Sequence, residues 1–220
     1  MEALKFRKAI LLVSLCLWTL TVFPQVKEDT IFQSDYLLIL NTYTSDAPWS
    51  NAIISPVLQW LNMERKTEVY VENMNMLMID DSLKLADLKT NIFAKYGKKK
   101  PKAVLLLGNS MMLFRNEMRE AWGDVPLILC GEESYMGPDD CYIKKYPVVP
   151  SEQVPLTNFT EEYNLTLLQT RVFIEENVKL LQHMIPGMKK IILIGDGRYV
   201  NQQLNTDMKQ LLQKAYPELE

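Results

Sequence analysis

Tyr-Leu-Leu-Ile-Leu-Asn-Thr-Tyr-Thr-Ser-Asp-Ala-Pro-Trp-Ser-Asn, residues 36–51, decides the fold. Its first five residues are apolar without a polar break and stop at Asn41. A strand covered by helices on both faces has this appearance, because neither of its faces has to meet water. The residues that follow, Asn41 to Trp49, are polar and aromatic at once. In open α/β folds ligands sit beyond the carboxyl ends of strands, so this stretch is the first candidate binding loop.

Working outward, the pattern repeats. Ser50 or Asn51 can cap a helix carrying Ile53, Ile54, Val57, Leu58 and Leu61 at helical spacing. Pro56 leaves two readings: the regular helix begins there with Ser55 as cap, or its first turn is distorted. Residues 68–74 alternate as a second strand. Asp80 or Asp81 starts a helix with Leu85, Leu88, Ile92, Phe93 and Tyr96 on one stripe, ended by Gly97. A third strand runs over 103–107 and ends at Gly108-Asn109-Ser110; the helix after it carries Met111, Phe114, Met118 and Trp122 and closes at Gly123. A fourth strand covers 125–130 and ends at Gly131-Glu132-Glu133. Such alternation predicts a Rossmann-like parallel sheet with helices on both faces.

From 134 to 160 the pattern breaks, with four prolines and the β-rich pieces Tyr142-Ile143 and Pro147-Val148-Val149. Leu167, Ile174, Val178, Leu181 and Ile185 then define a long helix stopped by Pro186-Gly187. Residues 190–194 read as another aliphatic strand, ending at Gly195-Asp196-Gly197-Arg198-Tyr199, and a last helix carries Leu204, Met208, Leu211, Leu212 and Ala215. This closing βα unit either adds to the first sheet or begins a second lobe; in the latter case its apolar stripe should be partly exposed.

At the other end, Lys5, Arg7 and Lys8 precede an apolar stretch over 9–23, the layout of an export signal. The stretch falls short of the roughly 20 residues of a membrane span, which favours a cleaved signal over an anchor without excluding the anchor. The expected organisation is a signal peptide or membrane anchor over 1–24, a first α/β lobe over 34–133, a connecting segment and long helix over 134–187, and the beginning of a truncated second lobe over 188–220. In an oxidising compartment Cys130 and Cys141 could pair, or each could be a buried free thiol. A formal net charge of -3 argues against nucleic acid as a partner.

Catalysis finds little support in the residues. His183 is the single histidine, and Gly-x-Ser-x-Gly elbows, His-rich metal clusters and phosphate loops are missing from the sequence. No metal or cofactor is expected. Adjacent carboxylates at Glu132 and Glu133 do not by themselves set up an acid/base pair. Gathered on one edge, the strand ends would form a cleft in which Tyr43 and Trp49 stack on a sugar or flat ligand, while Asp196 and Arg198 hold polar groups.

The run Leu-Ile-Leu-Asn-Thr-Tyr-Thr with Pro48-Trp49, the Pro101 strand, Val-Pro-Leu-Ile-Leu-Cys-Gly at 125–131, and Ile185-Pro186 ahead of Lys-Ile-Ile-Leu-Ile-Gly-Asp at 190–196 together resemble the extracytoplasmic sensor region of bacterial hybrid sensor histidine kinases. That region is similar to type I periplasmic, ABC-type substrate-binding proteins. The resemblance implies two Rossmann-like lobes closing on a small polar ligand, with closure signalled through the membrane. It places the ligand against Tyr43, Thr44, Trp49, Asn109, Ser110, Gly131 and Glu132 of the first lobe and Asp196 and Tyr199 of the second. It also implies a periplasmic location, attachment to the inner membrane through the N-terminal segment and a C-terminal part beyond this chain, and a homodimeric arrangement. The chain itself would be a non-catalytic fragment, any kinase activity lying in parts not present here. A substrate-binding protein of an ABC transporter and an exported α/β hydrolase are the alternative functions.

Overall fold

The computed structural model describes residues 36–64, 67–170 and 172–219. Strands β1 (Tyr36–Asn41), β2 (Glu68–Asn73), β3 (Ala103–Leu107) and β4 (Leu127–Gly131) alternate with helices α1 (Pro48–Glu64), α2 (Ser82–Tyr96) and α3 (Arg115–Trp122). The sheet has five strands in the order β2-β1-β3-β4-β7, with β7 spanning Leu165–Gln169, and every pairing is parallel. This is the Rossmann-like α/β fold expected from the sequence.

Strand alternation assigns the core to two faces. Ile39, Leu105, Leu107 and Cys130 pack with Ile54 of α1, supported by Leu37, Val57, Leu58, Val69 and Val71. The opposite register puts Tyr36, Leu38 and Leu40 of β1 on the other face, where Tyr36 stacks on Tyr96 of α2 with ring centroids 6.3 Å apart. Trp122 of α3 closes that side by donating Nε1–H to the Tyr96 carbonyl at 3.2 Å. Burial pushes the hydroxyl pKa of both Tyr36 and Tyr96 up to about 12.

Local chemistry settles several boundaries. Asp81 is the N-cap of α2, its carboxylate accepting from the Lys84 amide at 2.8 Å. Helix α1 begins at Pro48, so Pro56 lies inside it rather than at its start or in its first turn. Ala52, Ser55 and Pro56 are all exposed, and water can take the carbonyl that the missing Pro56 N–H leaves unbonded.

The segment after β4 departs from expectation in three ways. The long helix read through Leu167 is split: residues 165–169 form β7, and α5 starts only at Ile174 (Ile174–Met184). Tyr142-Ile143 is not β-structure but part of α4 (Asp139–Lys144), which Asp139 and Asp140 favour by placing negative charge in its first turn. A small antiparallel ribbon joins β5 (Tyr135–Met136) to β6 (Val154–Pro155).

Residues 190–194 form no strand. The place beside β4 that they could have filled is taken by β7, and Ile192 and Ile194 are 73% and 96% exposed. The stripe of the last helix, α6 (Tyr199–Ala215), is correspondingly better covered than expected. Leu212 is buried with Val178 of α5, Tyr216 and Leu219, and Met208 and Leu211 pack around them. Gln203, 3% exposed, ties α6 to the connector by accepting from the Val148 amide at 2.9 Å. Backbone amides of residues 190–194 should therefore exchange with solvent at least a hundredfold faster than those of β1 and β3, measurable by mass spectrometry; equal protection would mean that the segment pairs as a strand.

The expected signal or anchor over 1–24 lies outside the described residues. Among those described, no helix is long and apolar enough to cross a membrane. Cys130 and Cys141 are both free and buried, so the pairing weighed above is not formed. Cys130 belongs to the core under α1, whereas Cys141 sits in α4 against Gly137 and Val148.

Candidate functional site

The carboxyl ends of β1, β3 and β4 lie side by side, and a cavity of about 330 Å³ opens beyond them. Its lining includes Tyr43, Thr44, Trp49, Asn109, Ser110, Glu132, Asp196 and Tyr199, eight of the nine residues that the resemblance singles out. Gly131, the ninth, stands at the end of β4 immediately before Glu132 but does not line the cavity.

Asn41 organises this edge. Fully buried, it donates Nδ2–H to Asn73 Oδ1 at 2.8 Å and to Ser50 Oγ at 3.3 Å, and its Oδ1 accepts from the Tyr43 amide at 3.2 Å. One side chain thereby links the ends of β1 and β2 to the first turn of α1, which fixes the loop from Thr42 to Ala47. The Met76 amide donates to the Thr42 carbonyl at 2.9 Å and brings Asn75, Met76 and Leu77 to the cavity wall. Ser110 is fixed by a 2.9 Å hydrogen bond between its hydroxyl and that of Thr42. Gly108, between them, has φ +94°, and a Cβ there would lie 2.6 Å from Thr42 Oγ1.

Asn109 plays a different part from the one expected. Its Nδ2 donates to the carbonyls of Glu133 at 3.0 Å and Tyr135 at 3.1 Å, so its donors are spent on the β4–β5 loop. Its Oδ1 lies where a Cβ of Gly131 would be. Asn109 and Gly131 thus interlock, and together they position Glu132 and Glu133.

The aromatic pair is also partly structural. Trp49 packs on the core beneath α1 while its ring meets Tyr43 edge-on, centroids 5.5 Å apart. The Arg198 guanidinium also sits over Tyr43, 5.4 Å from the ring centroid. Arg198 Nε donates to Asp196 Oδ2 at 2.7 Å, and Asp196 Oδ1 accepts from the Arg198 amide and from Asn201 Nδ2. These contacts, the Arg198 side chain first, hold the Asp196 carboxyl down at about 2. Asp196 therefore orders the approach to α6 as well as lining the cavity.

Sequence reasoning missed the residues that come from the connector. Tyr142 of α4, 1% exposed, packs on Tyr199 with centroids 4.5 Å apart and accepts from the Gly137 amide. Lys145 lines the cavity from a left-handed backbone position, φ 58°, and donates Nζ–H to the carbonyls of Ile79 at 2.8 Å and Ile143 at 3.2 Å. The Tyr199 hydroxyl comes near that of Tyr142 without reaching hydrogen-bond geometry and has no partner. Only the loop after β2 carried a usable signal, since Asn73 to Asn75 ends a strand on the same edge.

Electrostatically the floor is acidic. Burial, then the neighbouring charges of Glu132 and Asp207, pushes the Glu133 carboxyl up to about 7; burial also raises Glu132, where Arg198 opposes the shift. A raised carboxyl binds its proton more tightly in the folded state, so the stability it contributes is full below about 4.5 and is lost as pH rises through about 7. Urea midpoints of the ligand-free protein should accordingly fall between pH 5 and 8, less steeply in Glu133→Gln; a midpoint rising over that interval would contradict the assignment. Among the described residues no group of three or more His, Cys, Asp or Glu side chains is arranged to hold a metal ion.

Comparison of the chain with protein-family profiles, with curated proteins and with solved structures gave no match.

Proposed function

We propose that this chain is a small-ligand-binding α/β module, and that it serves as the extracytoplasmic sensor of a two-component receptor. One observation carries the binding part: a cavity of ligand size at the carboxyl edge of a parallel sheet, walled by Tyr43, Trp49 and Tyr142 and floored by polar side chains. The sensor part rests on the sequence resemblance. A substrate-binding protein of a transporter would share the same cavity, and a kinase region encoded downstream of residue 220 separates the two.

The hydrolase alternative draws on Glu133, whose raised pKa in a cleft suits a general acid. Turnover of an ester or glycoside that Glu133→Gln abolishes would favour it over binding.

A thermal-shift screen against sugars, amino acids, nucleosides and amines tests the binding reading. A ligand at 100 times its dissociation constant adds about 2.7 kcal/mol of stability. The shift is expected to vanish in Trp49→Ala. Because Trp49 also packs on the core, Thr44→Phe, which fills the cavity from its exposed rim, is the second variant and should abolish the shift with a near-normal melting temperature. Shifts that survive in Thr44→Phe would place the ligand elsewhere.

A further inference from the structure

We propose that the cavity selects a ligand carrying a protonated amine, held by Glu132 and Glu133 with its organic part against Tyr43 and Trp49; this rests on the binding reading above. The lining holds four carboxylates, Asp46, Glu132, Glu133 and Asp196, against two cations, Lys145 and Arg198. Both cations have partners of their own. Arg198 is paired with Asp196 and capped on Tyr43, and the Lys145 ammonium is turned to two backbone carbonyls. Neither Glu132 nor Glu133 forms an ion pair with a described residue, although both have lost much of their hydration.

An uncompensated carboxylate pair in a partly dehydrated site repels an anion and gains little from a neutral polyol. An ammonium group supplies the missing countercharge, and the Trp49 ring adds attraction for the same charge, the Tyr43 face being taken by Arg198. An independent sign of a ligand comes from Tyr199. It is nine-tenths buried, it lines the cavity, and its hydroxyl, beside that of Tyr142, has no hydrogen-bond partner, an unmet polar group in the cavity wall.

The pH response follows from what surrounds Glu133. Glu132 and Asp207 are its charged neighbours; Tyr43, Tyr135, Tyr142, Tyr199 and Cys141 face it as neutral groups whose own ionisation is pushed up by burial, and Arg198 acts on Glu132 rather than on Glu133. A cation must find Glu133 ionised. With that carboxyl at about 7, amine affinity should drop roughly tenfold from pH 8 to pH 6.

Calorimetric titration with putrescine, agmatine and tyramine, set against tyrosol and the corresponding carboxylate as matched neutral and anionic compounds, tests this. At least one amine is expected to bind, at least tenfold more tightly than its neutral match at pH 8. Glu133→Gln should remove most of that preference and flatten the pH profile, with the melting temperature of the free variant showing that it is folded. Equal binding of tyramine and tyrosol, an unchanged preference in Glu133→Gln, or failure of every amine while neutral sugars or nucleosides bind and Thr44→Phe blocks them, would overturn the amine assignment and leave the cavity as the binding site. Absence of binding by any compound class would overturn both.

Discussion

Replacing Asn41 by leucine is expected to lower the unfolding free energy by about 2–4 kcal/mol, the cost of stranding buried hydrogen-bonding groups at unchanged volume. The position has no solvent exposure, and its amide serves Asn73, Ser50 and the Tyr43 backbone at once. Leucine fills the space but leaves the Tyr43 N–H without its acceptor and the Ser50 hydroxyl without a donor. Urea denaturation should show a lower midpoint at an unchanged slope. Asn51→Ala is the control: its Nδ2 bond to the Ser45 carbonyl is exposed, and its loss should cost under about 0.5 kcal/mol. If the two variants are equally stable, Asn41 does not organise the strand edge.

Gly131→Ala should destabilise by about 2–4 kcal/mol through a different route. The backbone at Gly131 is ordinary, but the new methyl would occupy the site of Asn109 Oδ1. Asn109 would have to swing out and give up its bonds to the Glu133 and Tyr135 carbonyls. The two residues are therefore strongly coupled, and a double-mutant cycle reads the coupling. Asn109→Ala removes the obstruction, so Gly131→Ala should cost far less on that background. Additive effects would mean that the methyl is accommodated by some other movement.

The sheet was legible because β1, β3 and β4 are short aliphatic runs that end on polar loops, a pattern that buried parallel strands produce and little else does. β7 was not legible. Thr166 and Gln169 interrupt its apolar character, and Leu167 happens to fall on the helical stripe of residues 174–185. The reverse error arose at 190–194, where a strand-like sequence lacks a partner strand; pairing is a tertiary fact that composition does not carry.

Much the same division holds for the site. The strand-end rule located Tyr43, Thr44, Trp49, Ser110 and Glu132 at the cavity, because topology alone brings those loops to one edge; Asp196 and Tyr199 line it too, although the strand expected ahead of them is not formed. It gave no warning that Asn109 points its donors into the β4–β5 loop, or that Asp196 is held by Arg198 and Asn201. Nor could it find Tyr142 and Lys145, which reach the cavity from a helix inside a proline-rich connector.

Amide hydrogen exchange, measured with and without the screening compound that raises the melting temperature most, tests the central claim that the carboxyl edge of the sheet is the ligand site. The prediction is slowed exchange confined to residues 42–49, 75–77, 108–110, 132–133, 142–145 and 196–200, the segments that line the cavity. Slowing confined to the outer surfaces of α1, α3 or α5, with those six segments unchanged, would contradict it.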